Sequence, residues 1–371
     1  MKKEIISSKQ GVTLITMFLI GSALVINSGT EAGKDAWIAM LLGMIMVIPM
    51  LFVYSRLIKV YPGRDLYDLQ KLLFGKVIGS ITSIFFILFT LHLGAMILRN
   101  FSEFIQAVSF PETPQFFTLI LMGTLCICGT KCGIEVLARW SSFVFPIIFI
   151  VVASLVIFSI PAAELTNIKP ILYNGIKPVI QSSFSIFAYP FAEVTLFTMV
   201  FNSLNNKKNT FRIFLIGTLI AGIMLTVVAI RNIAVLGPET IDSYYFPAYN
   251  AVSVISIGNF FDRFEILVAI MFVVSGFLKA TICLYTASKG FSKLFNVDCY
   301  SEFAAPLGII MFTMASFVYE NLMEMFQWAG TIYKYYSFPF LVLMPIIILI
   351  FAEVKSRRER GKGAQIKPQK T

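Results

Sequence analysis

Glu193 and Lys279 are ionisable residues set inside long apolar stretches of the chain. A charge at the centre of a bilayer costs at least about 2.5 kcal/mol even on insertion scales, so such a residue needs a partner or a task. Counted from the same side, Glu193 lies about 13 residues into its stretch and Lys279 about 15 into its own. At a helical rise of 1.5 Å per residue these are depths of about 20 Å and about 22 Å, which allow the two to meet. An ion pair is one reading, and Ser275 joins them as a coupling candidate. A second is that the Lys279 ammonium occupies a place where a relative holds a coupling cation. The plain alternatives are that Lys279 snorkels to the interface and that Glu193 hydrogen-bonds freed backbone.

Two further features mark the same depth. The first apolar stretch contains Gly21, Ser22 and Ala23 near its middle and Asn27, Ser28 and Gly29 near its outer end, and the sixth contains Phe187, Ala188, Tyr189 and Pro190. Paired Gly/Pro interruptions at equivalent places in two halves of a membrane protein point to a binding site near the midplane. An unwound turn frees backbone N–H and C=O groups, and half-helix N-termini attract an anion such as a carboxylate. Gly and Pro are also common in membrane helices without any such role.

The remaining charged pairs read as structural. Arg99 and Glu103, and Glu135 and Arg139, each stand four apart, the spacing of a helical ion pair. No nucleophile–base pair, Gly-rich phosphate loop or HExxH-type motif is present, so the sequence offers no enzymatic reading and calls for no cofactor. Cys128 and Cys132 share a helical face that Cys126 does not, and the single histidine, His92, lies in another stretch, so no metal site is expected.

The elements that carry these residues are membrane helices. Of 371 residues 57% are hydrophobic and 13% charged, with a mean hydropathy of +0.82, against about 25% charged residues in soluble domains. The apolar runs are long and lack the alternation of barrel strands, which leaves helices as the way to satisfy the backbone in lipid. Ten spans are expected, near 12–30, 36–57, 77–101, 114–129, 141–160, 179–201, 211–231, 264–286, 303–319 and 335–354. They form one transmembrane domain, residues 1–354, divided into repeats of about 12–160 and 179–354, and followed by a basic, mobile tail, 355–371. Leu66, Leu69, Leu72 and Leu73 predict an amphipathic helix on the membrane surface between spans two and three. The stretch from Leu236 to Phe261 reads as a lid or a docking surface.

The net charge of +10 is not a nucleic-acid signature, because the bases sit in short connections. With Lys279 set aside, 22 Lys and Arg fall on the side of the N-terminus and 7 on the other, which predicts that both termini are cytoplasmic. A cleavable leader at the start would invert every later loop and is rejected. The tail is expected to touch anionic membrane lipid.

Several ordered motifs carry a resemblance. Asp35-Ala36-Trp37 opens the second span and is followed by Leu98-Arg99-Asn100-Phe101 and Phe110-Pro111-Glu112-Thr113-Pro114. Then come Gly133-Ile134-Glu135-Val136-Leu137-Ala138-Arg139 and Phe260-Phe261-Asp262-Arg263-Phe264-Glu265. The chain resembles the spore germination permease family, the B subunits of nutrient germinant receptors, related to the amino acid/polyamine/organocation transporters. The resemblance implies an all-α fold of ten helices in a five-plus-five inverted repeat with helices 1 and 6 broken, in the inner membrane of a spore. It implies a small nutrient ligand such as an amino acid, bound at Gly21, Ser22, Ala23, Phe187, Ala188, Tyr189 and Pro190. It further implies partnership with a germinant receptor A subunit and a lipoprotein C subunit. A proton- or cation-coupled amino-acid transporter is the other reading.

Overall fold

A computed structural model describes residues 4–26, 29–255 and 263–365. All regular structure among them is helical, apart from one bridge between Ile6 and Leu204. Eight helices are long and apolar enough to cross a membrane, and a shorter apolar helix spans Ala304–Phe317. The first segment, α1 (Ser8–Ala23), has 16 residues, about 24 Å of helix and short of a 30 Å hydrocarbon core.

Local signals set the boundaries. Ser7 opens α1 with a capping box, its hydroxyl accepting from Gln10 N at 3.3 Å while Gln10 Oε1 accepts from Ser7 N at 2.8 Å, two free N–H groups satisfied reciprocally. After α2 (Ala36–Val60), Asp65 caps α3 (Leu66–Val108) in the same way with Asp68. The amphipathic segment expected between spans two and three is the first part of α3. At Gly75, φ 79° turns the chain, a conformation that a residue without Cβ adopts freely. The helix then doubles back: Ser83 Oγ donates to Gln70 Oε1 at 2.6 Å, and Leu66 and Leu69 are buried in protein.

Gly133, with φ 86°, alone separates α4 (Gln115–Cys132) from α5 (Ile134–Ser159), so the fifth span starts earlier than the apolar window indicates. The sixth span is α6 (Ile176–Ala188), an irregular stretch through 3-10 turns at Phe191–Leu196 and the single turn α7 (Phe197–Val200). α8 (Thr210–Leu236) follows, then a short crossing helix α9 (Pro247–Ser253) and α10 (Glu265–Phe295). The chain ends with α11 (Ala304–Phe317) and a tenth span built from α12 (Leu322–Gln327), α13 (Tyr333–Phe338) and α14 (Met344–Gln365), joined by π-helical turns at Trp328–Ile332 and Pro339–Leu343.

This last span departs from expectation at both ends. It begins at Leu322 rather than near 335, because its first turns are rich in polar and aromatic residues that depress hydropathy. The tail, expected to be mobile, continues as helix to Gln365, and its start is tied down: Tyr61 Oη donates to Glu359 Oε2 at 3.2 Å and Lys355 Nζ to Leu72 O at 2.9 Å. Residues 366–371 of the tail, Asn27 and Ser28 of the first interruption, and residues 256–262 of the outer stretch and its motif lie outside the described residues. Part of that stretch packs inward: Phe246 meets Phe104 edge-on at 5.0 Å, and Ala248 O accepts from Arg231 Nη2 at 3.2 Å, while Tyr244 and Tyr245 are exposed.

Close helix approach depends on small residues, as membrane packing does generally. At Gly43 of α2 a Cβ would lie 2.7 Å from Ile186 Cγ2 of α6. At the end of the bundle nearest the N-terminus, Ile6 N donates to Ser203 O at 2.9 Å and Asn205 N to Ile6 O at 3.0 Å, which ties the entry to α1 to the exit from span six.

Candidate functional site

The two interruptions meet. α1 runs through Gly21, Ser22 and Ala23 without a break and leaves the helix at Leu24–Ile26, so the expected opening at Gly21 is displaced outward by one turn. α6 ends at Ala188, Tyr189 is extended, and the Tyr189–Pro190 peptide is cis. Tyr189 Oη donates to Ser22 Oγ at 2.8 Å, which joins the two helix ends directly. Both regular helices therefore present C-terminal, partially negative ends to the site. The N-terminal side of the second break is the irregular turn Phe191–Leu196, with Glu193 in its first turn.

Glu193 and Lys279 lie between these ends. Lys279 Nζ is 2.6 Å from Glu193 Oε2, and both side chains are fully buried. The ammonium also lies 3.5 Å from Ser22 Oγ and 4.7 Å and 5.3 Å from the ring centres of Tyr189 and Phe18, positions from which aromatic faces attract a cation. The other oxygen of Glu193 accepts a short hydrogen bond from Tyr333 Oη. Ser275, one turn before Lys279 on α10, donates to Gly21 O at 3.1 Å.

Gly21 has a spatial task. A Cβ there would lie 2.8 Å from Lys279 Cδ and 3.2 Å from Lys279 Cβ. The glycine makes the groove through which the lysine crosses α1 toward Glu193.

Beside the ion pair lies a cavity of about 30 Å³, lined by Ser22, Ile26, Leu93, Met96, Ile97, Asn100, Tyr189, Glu193, Tyr319, Trp328, Ala329 and Tyr333. That is room for about two waters. The site is thus largely filled by its own side chains. Of the residues singled out from sequence, Ser22, Tyr189 and Glu193 reach this cavity. Phe187 does not: it stacks on Phe184 at 6.1 Å, because residues two apart near a helix end face in different directions. Gly21, Ala23 and Ala188 stand in the last turns of α1 and α6, and Pro190 in the cis turn that follows, and they carry the others.

Sequence reasoning passed over Trp328, Tyr333, Tyr319 and Asn100 as site residues. Trp328 opens the π-helical turn Trp328–Ile332 and Tyr333 follows it, a distortion found frequently at functional sites. The pairs expected to be structural are formed: Arg99 Nε meets Glu103 Oε1 at 2.9 Å, and Arg139 meets Glu135 on the surface.

Two charge clusters bracket the centre. Toward the end away from the N-terminus, Lys334 Nζ lies 3.3 Å from Glu31 Oε1 and donates to Ser185 Oγ at 3.1 Å, joining the turn before α2, α6 and α13. Toward the N-terminal end, Lys289 Nζ donates to Met199 O at 2.6 Å and Asn202 Oδ1 at 2.9 Å, and lies 3.3 Å from Asp65 Oδ2. Lys293 approaches the same oxygen at 2.6 Å. Burial pulls the Asp65 carboxyl up, but the two ammonium groups outweigh it and hold the group below the ordinary carboxylate range.

The sequence model for spore germination proteins, the spore permease family, matches residues 5–324. The chain belongs to the spore germination permease family. It is 30% identical over 372 residues to spore germination protein KB of Bacillus subtilis, covering 99% of this chain and 100% of that one. It is 24% identical to spore germination protein YndE of the same organism, covering 96% and 98%. Among solved structures, the chain superimposes on Mhp1, a nucleobase-cation-symport-1 family transporter in a closed conformation with bromovinylhydantoin bound. The TM-score is 0.72 at 11% identity, covering 92% of this chain and 78% of that one. MhsT in complex with L-phenylalanine gives a TM-score of 0.58 at 12% identity, covering 95% and 89%. This spore permease family member is therefore a multi-pass membrane protein with the fold of these transporters and broken helices 1 and 6.

Proposed function

We propose that this chain is the B subunit of a nutrient germinant receptor, which binds a small nutrient such as an amino acid beside Glu193 and Lys279 and passes the change to partner subunits. The observation that carries the reading is the fully buried contact of 2.6 Å between Lys279 and Glu193, set where the ends of α1 and α6 meet. A buried pair with aromatic walls can recognise the ends of an amphipathic molecule, and family membership supports a role in germination. A sensor needs only to bind two states unequally. The narrow cavity supplies one state, and an opened aromatic wall the other.

In this reading Gly21, Ser22, Ala23 and the Phe187–Pro190 turn form the frame of the site. Repeats of about 12–160 and 179–354 move against each other, and the partners are a receptor A subunit and a lipoprotein C subunit. The chain sits in the spore inner membrane with both termini cytoplasmic.

Transport is the second reading, favoured by the likeness to transporter structures. Uptake of labelled nutrient into proteoliposomes holding this chain alone separates the two. The receptor reading expects saturable binding without concentrative uptake. Concentrative uptake abolished by Lys279→Ala would overturn it.

A further inference from the structure

The charges around Lys279 describe a cation site that is already filled. A helix C-terminus carries about half a negative charge on its last carbonyls, and two such ends, those of α1 and α6, converge here through the Tyr189–Ser22 hydrogen bond. The Glu193 carboxylate adds a full negative charge, fully buried. Tyr189 and Phe18 turn ring faces to the same point. Such a centre demands one positive charge, and Lys279 supplies it from a helix that belongs to neither break. The bond between Ser275 Oγ and Gly21 O holds α10 against α1 one turn away, and the bare Cα of Gly21 leaves the passage for the lysine stem.

We propose that the Lys279 ammonium is a tethered monovalent cation: it fills a site formed by the end of α1, Ser22 and Glu193, and removing it exposes a site for a free monovalent cation. A tethered charge cannot dissociate to the opposite face. The centre therefore has no inorganic ion to release, and a sodium or potassium gradient has no purchase on it. For the receptor reading, on which this consequence rests, nutrient recognition would be independent of those ions. The cation measurement itself involves no nutrient, so its failure and the failure of that reading are distinguishable.

The test is thermal unfolding of the purified, ligand-free chain in choline, sodium, potassium or n-propylammonium chloride at equal ionic strength. Propylammonium is chosen because it replaces the atoms that Lys279→Ala removes. The wild-type midpoint is expected to be the same in all four salts. The Lys279→Ala midpoint should be lower in choline and should rise saturably, recovering about half of the loss or more, in at least one of the other three, as a ligand that binds only the folded state requires. Glu193→Gln/Lys279→Ala should show no such response. A saturable gain for the wild type in sodium or potassium overturns the proposal, as does a Lys279→Ala protein that responds to none of the three, or a double variant that responds equally. Where Lys279→Ala cannot be purified in choline, the readout becomes the yield of monodisperse protein in propylammonium, sodium or potassium against choline. Equal yields overturn the proposal.

Discussion

Lys279 Nζ and Glu193 Oε2 are 2.6 Å apart, and neither side chain is exposed. The contact joins α10 to the irregular turn after α6, so it couples a continuous helix to a broken one. Removing one partner of a buried pair leaves an uncompensated charge and costs about 3–5 kcal/mol, whereas removing both can be nearly neutral. Lys279→Met and Glu193→Gln should each lower the thermal midpoint of the purified protein substantially, and the double variant should recover most of the loss. Additive losses would show that the two side chains do not act as a pair. The exposed Glu135–Arg139 pair is the control: Arg139→Ala should change stability by about 0–1 kcal/mol.

Lys334 bridges Glu31 and Ser185 at the end of the bundle away from the N-terminus, a contact that the proposed opening would break. Lys334→Ala should favour the opened state. In a background without the native cysteines, Asn100→Cys reports access to the cavity. Its labelling by a membrane-impermeant thiol reagent should accelerate several-fold when Lys334→Ala is added, and an unchanged rate would remove Lys334 from the closure.

Asp65 links pH to the opposite end. Its folded-state value is depressed below 3.8 because Lys289 and Lys293 outweigh burial. The stability it contributes is complete above that value and is lost as pH falls through the lower folded value. Thermal midpoints measured from pH 7 to pH 3 should show the wild type losing stability at the acid end. Asp65→Asn should start lower at pH 7 and decline less steeply. Parallel curves would place the acid sensitivity elsewhere.

The Glu193–Lys279 contact was legible in the sequence because depth is simple to count: two ionisable residues at similar distances from one face of apolar helices have few other partners. The role of Gly21 was legible only in part. A glycine beside small residues suggests unwinding, yet α1 continues past it, and its use is to admit a side chain from a helix more than 250 positions away in sequence. Trp328 and Tyr333 escaped because they stand in a polar, aromatic, π-distorted turn that hydropathy does not assign to a span. The helix over residues 355–365 escaped because their polar composition hides a helix whose start is held by Tyr61 and Leu72, contacts that only the folded bundle supplies.

The central claim is that a nutrient is sensed at the meeting of α1, the Tyr189–Pro190 turn and the Glu193–Lys279 pair. The most direct measurement is nutrient-triggered germination of spores carrying Gly21→Leu, with protein abundance quantified in the same membranes. A leucine side chain at this position would fill the groove that Lys279 occupies, since even a Cβ would lie 2.8 Å from its Cδ. The account predicts loss of the nutrient response at normal protein level. An unchanged nutrient sensitivity at normal protein level would contradict it.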